Sequence, residues 1–166
     1  MSHRFLPMRS RVSAGLILHR FGAAGLEVLL AHPGGPFFLH KDLGHWTIPK
    51  GEVDANDDLF ETALREFVEE IGMQPARNAT YLPLGSIRQK GGKLVHAWAT
   101  AGDLPEGFVV TSNSFTMEWP PGSGVMQEFP EVDRAEFFTL AEARQRIKPA
   151  QIPLLDELAR QLNVQG

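Results

Sequence analysis

The sequence predicts an α/β sandwich, and three observations carry that prediction. Short apolar runs bounded by glycine-rich turns recur along the chain, as buried strands do. One strongly periodic helix interrupts them near residues 56–72. Two further helical segments close the chain, and strands interleaved with a helix and ending in helices pack as layers around a sheet.

Taken in order, residues 12–19 (VSAGLILH) and 26–31 (LEVLLA) flank Phe21-Gly22-Ala23-Ala24-Gly25 and predict two strands joined by a short loop. His32-Pro33-Gly34-Gly35-Pro36 then forces irregular backbone, and Lys41-Asp42-Leu43-Gly44-His45 leads into Trp46-Thr47-Ile48-Pro49-Lys50-Gly51. Asn56 or Asp57 is placed to cap the helix. Phe60, Ala63, Leu64, Phe67 and Ile71 form its apolar stripe, and Gly72 is placed to end it in a left-handed conformation. Residues 81–87 and 93–100 read as strands around the turn Lys90-Gly91-Gly92. A short strand is expected at 114–119, closed by Pro120-Pro121-Gly122, and extended chain at 131–138. Residues 140–147 and 152–162 have helical spacing with polar outer faces.

Composition narrows the class. At 166 residues the chain suits one domain, with a core about 12–147 and a C-terminal helix about 152–162. With no cysteine, disulfides, zinc–thiolate sites and cysteine nucleophiles are excluded. The opening MSHRFLPMRSRVSAG lacks the apolar centre of a secretory signal, and no apolar run reaches the roughly 20 residues of a membrane helix. A net charge of −4 argues against a general nucleic-acid binder, which needs a basic footprint. The expectation is a soluble, cytoplasmic domain, monomer or homodimer, that acts on a small molecule and binds neither nucleic acid nor membrane.

The most informative stretch is Arg65-Glu66-Phe67-Val68-Glu69-Glu70-Ile71-Gly72. Glu66, Glu69 and Glu70 share one side of a helix, where like charges at i,i+3 and i,i+4 repel. Oxygen donors of this kind suit Mg²⁺ or Mn²⁺, which keep several waters and are completed by substrate phosphates. Arg65, four residues before Glu69, is placed to lock that carboxylate by a bidentate pair. Upstream, Pro49-Lys50-Gly51 combines a rigid turn, a phosphate counter-charge in Lys50 and a glycine that lets backbone approach a ligand. A solvated acidic helix face is the plainer reading of the glutamates taken alone.

The segment resembles the Nudix box, G-x5-E-x7-R-E-U-x-E-E-x-G-U, with U a bulky apolar residue. Gly51, Arg65, Glu66, Phe67, Glu69, Glu70, Gly72 and Met73 fall in register, and the first glutamate of the pattern is Asp57 here. Ser13-Ala14-Gly15-Leu16-Ile17-Leu18, the run W-x-x-P-K-G-E from Trp46 and the run E-x5-F-F-x-L-x-E-A from Glu131 extend the likeness over 12–147. The last two are most similar to the diadenosine tetraphosphate hydrolase branch.

The resemblance implies a Nudix-type α/β/α sandwich with a central mixed sheet. It also implies Mg²⁺-dependent hydrolysis of a pyrophosphate bond, in a dinucleoside polyphosphate or nucleoside triphosphate. It implies Glu66, Glu69, Glu70 and the Gly51 carbonyl as metal ligands, with Arg65 orienting one of them and Lys50 facing phosphate. Glu131 matches the general base, followed by Glu128 and Glu118. Oxidised nucleotides, nucleotide sugars and diphosphoinositol phosphates are alternative substrates, and a non-catalytic nucleotide sensor is the alternative class. For the nucleobase, Phe37, Phe38, Trp46, Tyr81, Trp98 and Trp119 offer stacking faces, with Phe37, Phe38 and Trp119 favoured by their loops. His40, Lys41 and His45 are secondary candidates for phosphate contacts.

Overall fold

A computed structural model describes residues 11–165. The reading of the first ten residues therefore lies outside the described part. Strand β1 (Val12–Gly22) runs antiparallel to β2 (Gly25–Pro33) through a two-residue turn, with Gly22 opposite Gly25. Later strands are β3 (Lys50–Glu52), β4 (Leu82–Arg88), β5 (Leu94–Ala101) and β8 (Val132–Thr139). The main sheet has the order β4-β5-β1-β2-β8, with β3 paired to β1. Among the described strands only β1 and β5 pair in parallel, so the sheet is mixed as expected.

Continuous apolar runs in β1 and β2 follow from burial on both faces. Leu16, Leu18, Leu29 and Ala31 point to one side, where they meet Leu64, Phe67 and Ile71 of α1 (Leu59–Ile71). Ile17, Val28 and Leu30 alternate to the other side. There they meet Ala143 of α2 (Leu140–Arg146) and Leu154, Leu155 and Leu158 of α3 (Ile152–Gln161). The result is the α/β/α sandwich.

Helix α1 is capped by Asp58, whose carboxylate accepts the Glu61 amide at 2.9 Å, and not by Asn56 or Asp57. Asn56 has φ 72° and belongs to the preceding turn, while Asp57 turns toward Arg65. Gly72 ends the helix at φ 89°, as its position predicts. Two elements escape the sequence pattern. The three-residue β3 exists because 47–50 lies across β1: a Cβ on Gly15 would stand 2.7 Å from the Pro49 carbonyl oxygen. The second is β7 (Met126–Pro130), which forms a separate hairpin with β6 (Ser114–Glu118), the short strand expected at 114–119. Only Phe115, Met117 and Phe129 of the hairpin's ten strand residues are even partly buried, so β7 carries almost no apolar alternation to read.

Replacing Asp58 by alanine should lower stability by about 1 kcal/mol, the usual worth of an N-cap side chain, read as a shift in urea midpoint. An unchanged midpoint would rule out Asp58 as the cap.

Candidate active site

Burial of Phe67 and Ile71 fixes the rotation of α1 and thereby turns Glu66 and Glu70 toward β3, with Glu69 beside Glu66. The β3 backbone runs directly beneath. The Lys50 amide donates to Glu70 Oε1 at 3.2 Å, and any side chain at Gly51 would overlap the carboxyl group of Glu66. A Cβ at 51 would thus push the Glu66 carboxyl group away from the β3 backbone.

Arg65 lies among three carboxylates and does not lock Glu69 by a bidentate pair. Its nearest contact is Asp57 Oδ2 at 3.5 Å, with Glu66 Oε1 at 3.6 Å and Glu69 Oε1 at 3.9 Å. One guanidinium is divided among them because Asp57, the residue that departs from the box, draws it toward the start of the helix.

The electrostatics are those of an anionic pocket short of positive charge. Burial raises Glu66 to about 7, and the neighbouring Glu69 and Glu131 charges add to the rise against Arg65. Burial raises Glu70 to about 8, against the Lys50 amide and ammonium. Glu131 is also raised, first by burial and then by Glu69. Among the described residues no three carboxylates or imidazoles close into a finished cation cage. The donor set nonetheless fits a hard divalent cation. It is all oxygen, crowded, partly desolvated and bordered by backbone that a Cβ would displace.

Glu131 reaches this pocket from far along the chain. Segment 111–113 takes up the last carbonyls of α1: the Thr111 amide donates to Ile71 at 3.1 Å and the Asn113 amide to Glu69 at 2.8 Å. The Asn113 carbonyl in turn accepts the Glu131 amide at 2.8 Å. A two-step relay through residue 113 therefore connects the backbone of Glu69 with that of Glu131, in the bend just before β8. Glu118 and Glu128 stand on the outlying hairpin, where Glu118 accepts the Gly124 amide and Glu128 pairs in register with Thr116. Of the three acids named from sequence, Glu131 is the one whose charge acts on the cluster.

Lys50 lies beside the cluster, next to Glu70. Burial, then the charges of Lys93 and Lys148, push its ammonium down to about 8. Lys148 is lowered too, by desolvation and then by Lys93. Lys93 keeps one partner, Glu52, at 3.4 Å. Lys93 and Lys148 were not visible as site residues in the sequence. Each is a single lysine beside a turn, and only the fold brings them toward Lys50.

The aromatic candidates separate by burial. Trp46 is a core residue and is withdrawn as a stacking surface: it is 1% exposed, edge-on to His32 and Phe138, with its N–H donated to Asp42. Tyr81 and Trp98 pack edge-on against Phe60 beneath α1. Phe37 is 59% exposed and meets Trp119 of the hairpin edge-to-face at 5.4 Å. Phe38 is 38% exposed and tilts toward His45. Lys41 contributes its carbonyl to the interior, as the acceptor of a His32 bond.

A family model described as NUDIX domain matches residues 9–158. The chain belongs to the Nudix family. Within this Nudix domain, one stretch of 58 residues is 41% identical to the asymmetrical bis(5'-nucleosyl)-tetraphosphatase of Caenorhabditis elegans. That match covers 35% of the chain and 38% of the length of this curated relative. The fold is similar to a crystal structure of a C. elegans Ap4A hydrolase binary complex, with TM-score 0.66 and 22% identity over 91% of this chain and 98% of that one. It is also similar to the NUDIX domain of Shewanella oneidensis NrtR in complex with ADP ribose. There the TM-score is 0.60 and the identity 17%, over 96% and 94% of the two chains. No helix among the described residues is long and apolar enough to cross a membrane.

A carboxyl group raised to about 7 or 8 is half or more protonated at neutral pH, and a divalent cation bound there would displace that proton. Affinity for Mn²⁺ should therefore strengthen as pH rises from about 6 to 9, as Glu66 and Glu70 ionise and Lys50 loses its competing charge. Calorimetric titration in buffers of different ionisation enthalpy counts the protons released. A count near zero at neutral pH would contradict the raised carboxyls.

Proposed function

We propose that this Nudix domain hydrolyses a phosphoanhydride bond in a nucleotide, with a dinucleoside polyphosphate or nucleoside triphosphate as substrate. The observation that supports this most strongly is the meeting of three elements at β3. These are the carboxylates of α1, the ammonium of Lys50 and, from 60 residues beyond the helix, the carboxylate of Glu131. Opposite charges side by side, the Lys50 ammonium acting on Glu70 within the carboxylate cluster, suit a ligand that carries phosphate together with a divalent cation.

Glu66, Glu69, Glu70 and the Gly51 carbonyl would hold the cation, magnesium in this reading. A bound divalent ion neutralises the non-bridging phosphate oxygens and makes the attacking water more acidic. The remaining work falls to the chain itself. Glu131, its basicity raised by burial and by Glu69, accepts the proton of the attacking water. Lys50 offsets phosphate charge, and the depressed ammonium regains its ordinary strength once a polyanion is beside it. Arg65 offsets the repulsion between Glu66 and Glu69 by sharing its charge between them. Phe37, exposed, and the half-buried Trp119, mutually edge-on, offer the stacking surface for a base.

A product-resolved screen with Mg²⁺ tests the substrate class, using diadenosine tetraphosphate, canonical and oxidised nucleoside triphosphates, nucleotide sugars and diphosphoinositol phosphates. The expected result is ATP released from diadenosine tetraphosphate. Binding without turnover of any anhydride in the panel would favour the sensor reading instead. With the best substrate, Glu69→Gln and Glu70→Gln should each lower kcat by roughly 100-fold or more. Wild-type turnover in either variant would remove that residue from the ligand set.

A further inference from the structure

His32, on β2, is 0% exposed and belongs to none of the groups placed in the pocket. Both of its ring nitrogens are engaged. Nδ1 lies 2.8 Å from Asp133 Oδ1, and Nε2 lies 2.6 Å from the Lys41 carbonyl oxygen. Asp133 Oδ1 and the Lys41 carbonyl are both acceptors, and the tautomer of the ring sets which of them receives its N–H. Its edge also rests on the buried Trp46 at 5.0 Å. Few buried side chains in this fold reach two segments so far apart, the 34–45 loop and the head of β8.

The strand pairing shows why Asp133 is within reach. Along β2 and β8 the register runs to His32 opposite Arg134 and then jumps to Pro33 opposite Val132. Asp133 is the residue skipped, a bulge that turns its side chain away from the regular pleat. Proline at 33 cannot donate to the ladder, so the pairing resumes one residue later through Gly34, whose amide donates to the Glu131 carbonyl at 2.8 Å. A Cβ on Gly34 would overlap the Pro130 carbonyl oxygen, so this contact depends on glycine. His32-Pro33-Gly34 and Glu131-Val132-Asp133 therefore form a two-point clasp. One point is a backbone bond at Glu131, and the other is the side-chain bond between His32 and Asp133.

We propose that His32 is a positioning residue. Its bond to Asp133 holds the bulge closed and so fixes where the Glu131 carboxylate meets the cluster, while its bond to Lys41 ties the 34–45 loop into the same frame. The role rests on the reading of Glu131 as the base. Asn113, Ser112 and Gly34 hold the backbone of the bend, with Ser112 Oγ 3.1 Å from the Val132 amide. Without the side-chain anchor two residues on, the bend can rotate about those bonds. A displacement of about 1 Å at a proton-transfer group is enough to cost up to 100-fold in rate. Arg134, whose Nε is 4.0 Å from Asp133 Oδ1 and whose guanidinium lies over Trp46, faces the same carboxylate and cannot replace the bond from within the core.

The test uses the whole chain with the fastest-cleaved anhydride of the panel above. His32→Asn keeps a donor where Nδ1 stands, and His32→Gln keeps one nearer Nε2. His32→Gln should therefore lower kcat by roughly tenfold while His32→Asn retains most of it. Mn²⁺ affinity should stay within about twofold in both, because the cation ligands are on α1 and β3. Asp133→Ala cuts the same bond from its partly exposed side and should reproduce the kcat loss even if the buried histidine tolerates no exchange. In a Glu131→Gln background, neither change should lower kcat further. A full additional loss in that background, or wild-type kcat in both His32→Gln and Asp133→Ala, would overturn the role given to His32 and leave the base assignment standing. Wild-type kcat in Glu131→Gln alone would instead overturn the base assignment and, with it, this one.

Discussion

The site depends on one constraint, the packing of α1 onto β3 at Gly51. Phe67 and Ile71 are fully buried, so the helix cannot turn to carry its glutamates into water. The backbone of residues 50 and 51 lies directly against Glu66 and Glu70 and leaves no room for a side chain between them. Like charges are thus held together in a partly desolvated place by apolar packing elsewhere on the same helix. Left to themselves they would separate or take up protons, and their raised pKa values express that conflict. An arrangement that is unfavourable in the free protein and relieved by a cation is characteristic of a binding site.

The same constraint explains the role of the C-terminal end of α1. Its last carbonyls need donors, and the chain supplies them from 111 and 113. Capping a helix in this way also fixes the strand that follows, because the Asn113 carbonyl accepts the Glu131 amide. A structural need and a chemical one are met by the same three residues. On the far side of Glu131, the contacts of His32 and Gly34 connect residue 131 and Asp133 to the loop that carries Phe37 and Phe38. The bend at residue 131 and that aromatic loop consequently share one frame, although they come from segments almost 100 residues apart.

Much of this was legible in the sequence where the signal was local. The stripe Phe60, Ala63, Leu64, Phe67, Ile71 located α1 because a buried helical face repeats every three to four residues. Gly72 marked its end because a left-handed residue costs least as glycine. The cap was misplaced by one or two residues because Asn56, Asp57 and Asp58 are chemically equivalent candidates, and backbone dihedrals alone choose among them. Trp46 was misread for a different reason. A tryptophan beside a loop looks like a recognition residue, but here a parallel bridge from Trp46 to Ile147 and a bond to Asp42 draw it inside. Strand β7 was missed because a hairpin that stands off the core needs no apolar alternation.

By itself the sequence determined the apolar strands and the helix that bears Glu66, Glu69 and Glu70 on one side. Each follows from spacing within one segment, where periodicity acts on neighbouring residues. Only the tertiary structure decided that Arg65 is shared with Asp57, that Glu131 and not Glu118 or Glu128 acts on the cluster, and that Lys93 and Lys148 crowd Lys50. It alone also joined His32 to Asp133. Those are encounters between distant segments. They are set by strand register and by which face a bulge presents, and a linear pattern does not encode them.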